Sequence, residues 1–276
     1  MIKSYLKINL SLRVLKKQRN NLHNIQSNVF LLNYFDEIKI KKIKSTKNII
    51  KFKGSFCKMV SKKNNTVAKT LHVLKSNNFL KSCYKIIINK KIPVFAGLGG
   101  GTGNAAALIK YFIKDVDTKT IKIFEKKIGS DLRLFFNNQS YQISLTKLIK
   151  YKKNYKFHIL LIYPNLKCST KTIYSKVKKF SKPIKVNYSR VTSNNYFLKL
   201  LKDDQNDLES IAVKKYPAIN KLIEIINLQK GCLLARMSGS GSACFGIFNN
   251  IKSARSAQYK IKRKHPKYWS AVTKTI

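Results

Sequence analysis

Carboxylates are the scarce residues in this chain: eleven Asp and Glu stand against 57 Lys and Arg, giving 276 residues a formal net charge of +46. The search for a general base is therefore short. Arginine is scarce as well, limited to Arg13, Arg19, Arg133, Arg190, Arg236, Arg255 and Arg263. Arginine is the better bidentate reader of phosphates and base edges, so a basic chain built on lysine argues against sequence-specific nucleic-acid recognition. Lysine, asparagine and isoleucine are instead enriched throughout, as an A/T-rich coding sequence would produce, and most lysines are expected on solvated faces. Incidental affinity for nucleic acid at low salt follows from the charge alone.

Metal-ligand patterns are missing too. Cys57, Cys83, Cys168, Cys232 and Cys244 are widely spaced and form no CxxC or Cys/His grouping, so they read as reduced core thiols. No apolar run approaches a membrane span, and Lys3, Lys7 and Asn9 interrupt any signal-peptide core, so the cytoplasm is the expected location. There is no internal repeat and no Pro/Ser-rich linker. A hydrophobic content of 44% supports a sizeable core, and the length suggests about two domains.

What the chain does have is glycine concentrated in one place. Pro93-Val94-Phe95 leads into AGLGGGTGNAAALI, with Gly97, Gly99, Gly100, Gly101 and Gly103 inside seven residues and small or apolar residues at helical spacing beyond. This reads as strand, tight loop, then a helix from about residue 104 to 113, whose positive end and loop N–H groups suit a phosphate. No lysine follows as a Walker loop requires, and Thr102 breaks strict GxGxxG spacing, so neither a P-loop nor a dinucleotide fold is favoured. A flexible turn with tight helix packing is the bland alternative. Glycine density of this order costs conformational entropy that a plain connector would avoid, which favours phosphate binding.

Around this loop, residues 5–14 alternate apolar and polar as a half-buried strand with Lys7 and Asn9 on its polar face. Val29–Ile40 and 49–60 read as further strands, Thr66–Phe79 as a helix capped by Asn65, and Tyr84–Asn89 as a short strand. A helix over Thr118–Lys127 ends at Gly129, and 131–136 and 141–145 are β or turn. Phe157–Tyr163 is a strand stopped by Pro164. Helices follow over Thr170–Lys179, Asn194–Leu201, Asn206–Lys215 and Pro217–Leu228, then strands at 232–236 and 243–248 around Met237–Ser242. A helix over 250–264 and a strand at 268–273 close the chain. The pattern predicts an α+β protein with a domain over residues 1–150 and another over 151–276.

Among the carboxylates, Asp36, Glu37, Asp115, Asp117, Asp203, Asp204 and Glu224 fall in expected turns or on polar helix faces, where solubility explains them. Asp131 differs, because IGSDLRLFF sets it before an apolar run that should be partly buried. Local sequence leaves it open between a helix cap and a functional carboxylate. His23 reads as an ordinary turn histidine, and Lys7 is one lysine among dozens.

Three stretches taken together, LKINLSL near the start, PVFAGLGGGTGNAA, and ARMSGSGSACFGIF, resemble the GHMP kinase superfamily. Within it the chain is similar to the branch that phosphorylates cytidine-diphospho-methylerythritol in the non-mevalonate isoprenoid route, from about Leu6 to Phe248. The resemblance implies a two-domain fold whose N-terminal half is like the ribosomal protein S5 domain 2 fold. It also implies transfer of the γ-phosphoryl of ATP, carried with Mg2+, to the 2-hydroxyl of that substrate. Asp131 matches the catalytic base and Lys7 the lysine beside it. Lys90, Pro93, Val94, Phe95, Ala96, Gly97, Leu98, Gly99, Gly100, Gly101, Thr102 and Gly103 match the ATP-binding stretch, and Gly239 and Gly241 a second glycine loop. Asn9, His23, Thr170 and Tyr174 match substrate-binding positions, with His23 toward cytosine; no residue is assigned as a metal ligand. The chain departs at Leu22, where the family usually has tyrosine, at Thr102-Gly103 in place of Ser-Ser, and at Leu132-Arg133 in place of Val-Pro. Arg133 is expected to touch phosphate or face solvent. The competing readings are a GHMP kinase for homoserine or mevalonate, and a basic RNA-binding protein. No specific nucleic-acid partner or membrane is expected.

Overall fold

The computed structural model of the chain describes residues 1–186, 188 and 191–276. These fall into two compact units that interleave along the sequence: Met1–Lys7, Tyr34–Val94 and Gly99–Asn137 form the first, and Ile8–Asn33, Phe95–Leu98 and Asn138–Ile276 the second. Residue 150, the expected boundary, falls within the second. Two long paired strands, β1 (Ile2–Lys17) and β2 (His23–Ile43), supply residues to both units.

The alternation in β1 places Leu6, Ile8, Leu10, Leu12 and Val14 in the core, as expected. Its other face is not solvated. Lys7, Asn9 and Ser11 are at most 5% exposed, so the strand is covered on both sides and its polar groups need internal partners. Within the second unit, Asn9 Nδ2 donates to Ser27 Oγ at 2.8 Å, and that hydroxyl donates to the Ser11 carbonyl at 2.6 Å.

In the first unit, residues Glu37–Ile43 of β2 pair antiparallel with β4 (Cys83–Asn89), and β4 pairs parallel with β3 (Ile49–Lys53). The strand expected over 49–60 ends at Lys53, because Gly54 turns the chain into a short 3-10 helix at Cys57–Met59. Helix α1 (Thr66–Ser76), capped by Asn65 through Ala68 N–H, packs against α2 (Gly100–Phe112) and α3 (Thr118–Ile128). A 3-10 helix over Ser130–Phe136 replaces the β or turn segment expected there.

Helix α2 begins at Gly100 and not near Asn104, with Gly103 N–H closing the first turn on the Gly99 carbonyl at 2.8 Å. Glycine is the poorest helix former after proline, so propensity sets the start too late. Close packing is what requires it: a Cβ on Gly103 would sit 2.8 Å from the Tyr5 carbonyl oxygen and 3.0 Å from the Phe135 ring. Gly99 precedes the helix at φ 68°, in the left-handed region that favours glycine.

In the second unit, residues Ser27–Phe30 of β2 pair with β5 (Gln139–Gln142), which pairs with β6 (Leu148–Lys150). A four-stranded antiparallel sheet runs in the order β10 (Trp269–Lys274), β7 (His158–Tyr163), β9 (Cys244–Phe248), β8 (Cys232–Met237). Helix α4 covers only Thr170–Tyr174, shorter than the expected 170–179. Helices α5 (Asn194–Asp203), α6 (Asp207–Lys215), α7 (Pro217–Asn227) and α8 (Ile251–Lys264) follow the expected pattern. Ile219, Leu222 and Ile226 of α7 share a buried cluster with Ala254, Ala257 and Ile261 of α8 and with Leu160 and Ile162 of β7. All five cysteines are free thiols; Cys168 and Cys244 are buried, while Cys57, Cys83 and Cys232 are only partly covered and so are not full core residues. Among the described residues no helix is long and apolar enough to cross a membrane.

An aromatic stack consolidates the second unit: Phe197 lies on Tyr155 with ring centroids 4.0 Å apart and a 16° interplanar angle, and on Phe30 at 5.6 Å. Phe197 is fully buried. Phe197→Ala should therefore destabilise the fold by about 3–5 kcal/mol. Urea unfolding followed by near-ultraviolet circular dichroism checks this, and a loss below about 1 kcal/mol would contradict the stacked core.

Candidate active site

The first unit brings Lys7, Asp131 and the start of α2 together. Asp131 occupies the first turn of the 3-10 helix after Gly129, and its Oδ2 lies 3.5 Å from Lys7 Nζ. Lys7 is buried, whereas 46% of the Asp131 side chain is exposed, so the residue is partly covered at the head of a buried Leu132–Phe135 run. The lysine reaches the carboxylate past Gly99, where a Cβ would lie 3.1 Å from Lys7 Cγ. Gly100, Gly101 and Thr102 present the opening N–H groups of α2, which have no partner within the helix, and Gly101 is exposed. A half-exposed carboxylate held by one buried cation, beside a helix N-terminus, can accept a proton next to a bound anion.

Beneath this helix end lies a network that sequence patterns do not single out. Asp36, expected in a solvated turn, is fully buried on β2. Its Oδ1 accepts N–H from Lys91 (2.7 Å) and Ile92 (2.9 Å), and its Oδ2 accepts from Lys90 Nζ and from Asn104 Nδ2 (3.0 Å). Lys90 Nζ also donates to Asn104 Oδ1 at 2.9 Å, and Asn104 Nδ2 to Ser4 Oγ at 2.9 Å. Lys90, matched above to a nucleotide-binding position, is thus 2% exposed and already bonded to two protein oxygens. Burial pushes its ammonium pKa down, and the Asp36 charge works against that shift. Arg133 neither faces solvent nor reaches outward: Nε and Nη2 clasp Glu125 at 2.6 and 2.5 Å, with the guanidinium side chain 7% exposed.

In the second unit, the loop after β8 is tied down from several sides. Asn206, the cap of α6, donates to the carbonyls of Met237 (2.9 Å) and Gly239 (2.8 Å), and Glu209 Oε2 accepts Met237 N–H at 2.7 Å. Burial raises the Glu209 pKa, opposed by the Met237 hydrogen bond and by Arg236. Asn9 N–H donates to Ser238 Oγ at 3.1 Å, and the Thr170 and Ser240 hydroxyls pair at 2.9 Å. Phe95–Leu98 joins the same loop, Ala243 N–H donating to the Ala96 carbonyl at 3.0 Å; Phe95 itself is 56% exposed. Asp204, also expected on a solvated face, is buried and takes Arg13 Nε at 2.6 Å.

His23 lies at the head of β2 with two aromatic neighbours, Tyr174 at 5.1 Å and Phe180 at 6.4 Å between ring centroids, both tilted by 36°. Desolvation, followed by the nearby Lys17 charge, lowers the His23 pKa, so the ring is neutral at pH 7 with one donor and one acceptor nitrogen. Phe180 is 47% exposed, as is Leu22 at 45%. No local sequence signal marks Phe180, which sits in an irregular lysine-rich segment; only the fold brings it to His23. Among the described residues no group of three His, Cys, Asp or Glu side chains could hold a metal ion.

Comparison with known proteins places these features in a family. The profile described as GHMP kinases C terminal matches residues 192–267. The 4-diphosphocytidyl-2-C-methyl-D-erythritol kinase of Pelagibacter ubique (strain HTCC1062) is 39% identical over 100% of this chain and 98% of its own length. The protein of that name from Wolbachia sp. subsp. Brugia malayi (strain TRS) is 32% identical over 97% and 96% of the two chains. Among solved structures, a 4-(cytidine 5'-diphospho)-2C-methyl-D-erythritol kinase superposes with a TM-score of 0.75 at 21% identity, covering 98% of each chain. A homoserine kinase from Cytophaga hutchinsonii ATCC 33406 gives 0.67 at 15% identity over 100% and 96%, a likeness of fold alone. The chain belongs to the 4-diphosphocytidyl-2-C-methyl-D-erythritol kinase family of GHMP kinases.

Proposed function

We propose that the chain transfers the γ-phosphoryl of ATP to the 2-hydroxyl of 4-diphosphocytidyl-2-C-methyl-D-erythritol, with Asp131 as base and Lys7 as its orienting cation. The observation that carries this reading is the Lys7–Asp131 ion pair at 3.5 Å, beside the opening of a glycine-rich helix. Asp131 takes the hydroxyl proton as the oxygen bonds to the γ-phosphorus, and the bond to the β-phosphate oxygen breaks to release ADP. Lys7 orients the carboxylate and attracts the developing oxyanion. The N–H groups of Gly100, Gly101 and Thr102 are assigned to the phosphates, where donors fixed before binding need no reorganisation during transfer. When bound with the nucleotide, Mg2+ neutralises charge on the β- and γ-oxygens. In this reading residues 1–150 form the domain of the nucleotide loop, 151–276 the C-terminal kinase domain, and the reaction takes place in the cytoplasm.

The acceptor is assigned to a cytidine compound because a neutral imidazole with aromatic rings on two sides suits a pyrimidine, whereas homoserine and mevalonate offer nothing to stack. His23 meets the donor and acceptor edge of cytosine, and Tyr174 and Phe180 supply ring surface. Phe180 offsets part of what Leu22 lacks at the position where the family usually has tyrosine. Asn9 and Thr170 are placed with this substrate as well, and Gly239 and Gly241 with the nucleotide.

Two sets of kinetics test the assignment. Asp131→Asn keeps shape but loses the proton acceptor, so kcat should fall by about 10²–10⁴-fold with thermal stability nearly preserved. Lys7→Met should also lower kcat, and the double variant should be less impaired than the product of the two effects. Near wild-type turnover in Asp131→Asn at saturating ATP removes Asp131 from this role. Stacking on a base is worth roughly 1–3 kcal/mol, so Phe180→Ala should raise KM for the cytidine substrate about tenfold, and Leu22→Tyr should lower it. Unchanged KM in both folded variants would place the pyrimidine elsewhere.

A further inference from the structure

Asp36 has more partners than a structural carboxylate requires. A buried carboxylate needs a cation or a set of donors; Asp36 has both, four donors drawn from both ends of the glycine-rich loop. The amides of Lys91 and Ile92 belong to the chain just before Pro93, and Asn104 lies one turn into α2, so a single carboxylate ties the two ends of the loop together. The Asn104 amide is itself fully used, one hydrogen on Asp36, one on Ser4 Oγ of β1, and its oxygen on Lys90.

The placement of Lys90 is informative. A Cβ on Gly100 would lie 3.4 Å from Lys90 Nζ, so the ammonium sits under the first turn of α2. This is the unfavourable end of the helix dipole for a cation, where an anion is preferred. Asp36 neutralises the ammonium from below. The upper side keeps the positive helix end, which is the side an incoming phosphate would meet. Nothing in packing alone requires a lysine here, since an apolar side chain would avoid the desolvation of both charges.

We propose that Asp36 is a positioning residue for ATP: by holding Lys90, Asn104 and the Lys91–Ile92 backbone in one network, it sets the glycine-rich loop and the start of α2 in their phosphate-binding arrangement before the nucleotide arrives. The proposal rests on the kinase reading above and adds a residue that does not itself touch substrate. Preorganisation of this kind acts on the affinity for the nucleotide and leaves recognition of the cytidine substrate unaffected.

The test measures binding of a non-hydrolysable ATP analogue by calorimetry, alongside kcat, both KM values and the melting temperature. Asp36→Asn should weaken analogue binding and raise KM for ATP at least tenfold, with KM for the cytidine substrate changed less than twofold. Because Asp36→Asn leaves a buried lysine without its counter-charge, the variant could fail to fold, and Asn104→Ala provides the second arm. It removes one limb of the network, leaves the Lys90–Asp36 pair intact, and places a good helix former in α2. Analogue binding should then weaken several-fold with a small change in melting temperature. Asp115→Asn, an exposed carboxylate outside the network, should behave as wild type. If folded Asp36→Asn or Asn104→Ala binds the analogue as wild type does, or if both KM values rise together, Asp36 is a stability residue and the proposal fails. A wild-type chain that does not bind the analogue would overturn the kinase reading and this proposal with it, whereas normal wild-type binding with unaffected variants overturns only the role of Asp36.

Discussion

A single buried carboxylate decides how the glycine-rich stretch can be used. In a chain with a net charge of +46, solvated lysines repel one another and contribute little to a defined architecture, whereas a desolvated acid must find partners of fixed geometry. Asp36, on β2, finds four of them, three in the segment following β4 and one in α2. Removing one partner from such a buried pair typically costs about 3–5 kcal/mol, so the network is held by the penalty for breaking it more than by the net gain from making it. The glycines around it have a complementary reason to exist: Gly103 lets α2 approach the backbone of β1 at Tyr5, and Gly99 gives the chain the left-handed turn that starts the helix.

The same economy recurs in the second unit. Asp204 and Glu209, two more of the few acids, are spent on Arg13 and on the Met237 amide, and Asn206 holds two carbonyls of the loop after β8. Arg236 donates to the carbonyls of Leu10, Leu201 and Asp204, so one of the few arginines also serves backbone groups rather than solvent. Asp36, Asp204, Glu209 and Arg236 thus sit where directional hydrogen bonds are needed.

Much of the fold is legible in the sequence because apolar periodicity reports burial directly. The strands β1, β4, β7 and β9 and the helices α5 to α8 appear where alternation and caps place them, since tertiary packing reinforces their local preference. The failures have separate physical causes. Helix α2 starts earlier than propensity suggests because packing against Tyr5 and Phe135 demands glycine inside a helix. Lys7 and Asn9 look solvated because a period of two cannot tell a strand covered on one face from one covered on both. Asp36 was readable in principle: Phe30, Leu32 and Ile38 are all fully buried, and Asp36 shares their even phase along β2. For the site, Lys7 and Asp131 meet at an ion-pair distance, but Phe180 reaches His23 only through the path of an irregular segment that no periodicity describes.

The most direct test of the account is the identity of the phosphorylated product. Incubation of the chain with Mg-ATP and an equimolar mixture of 4-diphosphocytidyl-2-C-methyl-D-erythritol, homoserine and mevalonate, followed by 31P NMR, distinguishes every acceptor in one tube. The account predicts a single new phosphomonoester resonance on the cytidine compound, at the former 2-hydroxyl, with its diphosphate intact and stoichiometric ADP. Phosphate released to water without transfer, or a phosphomonoester on homoserine or mevalonate instead, would contradict it.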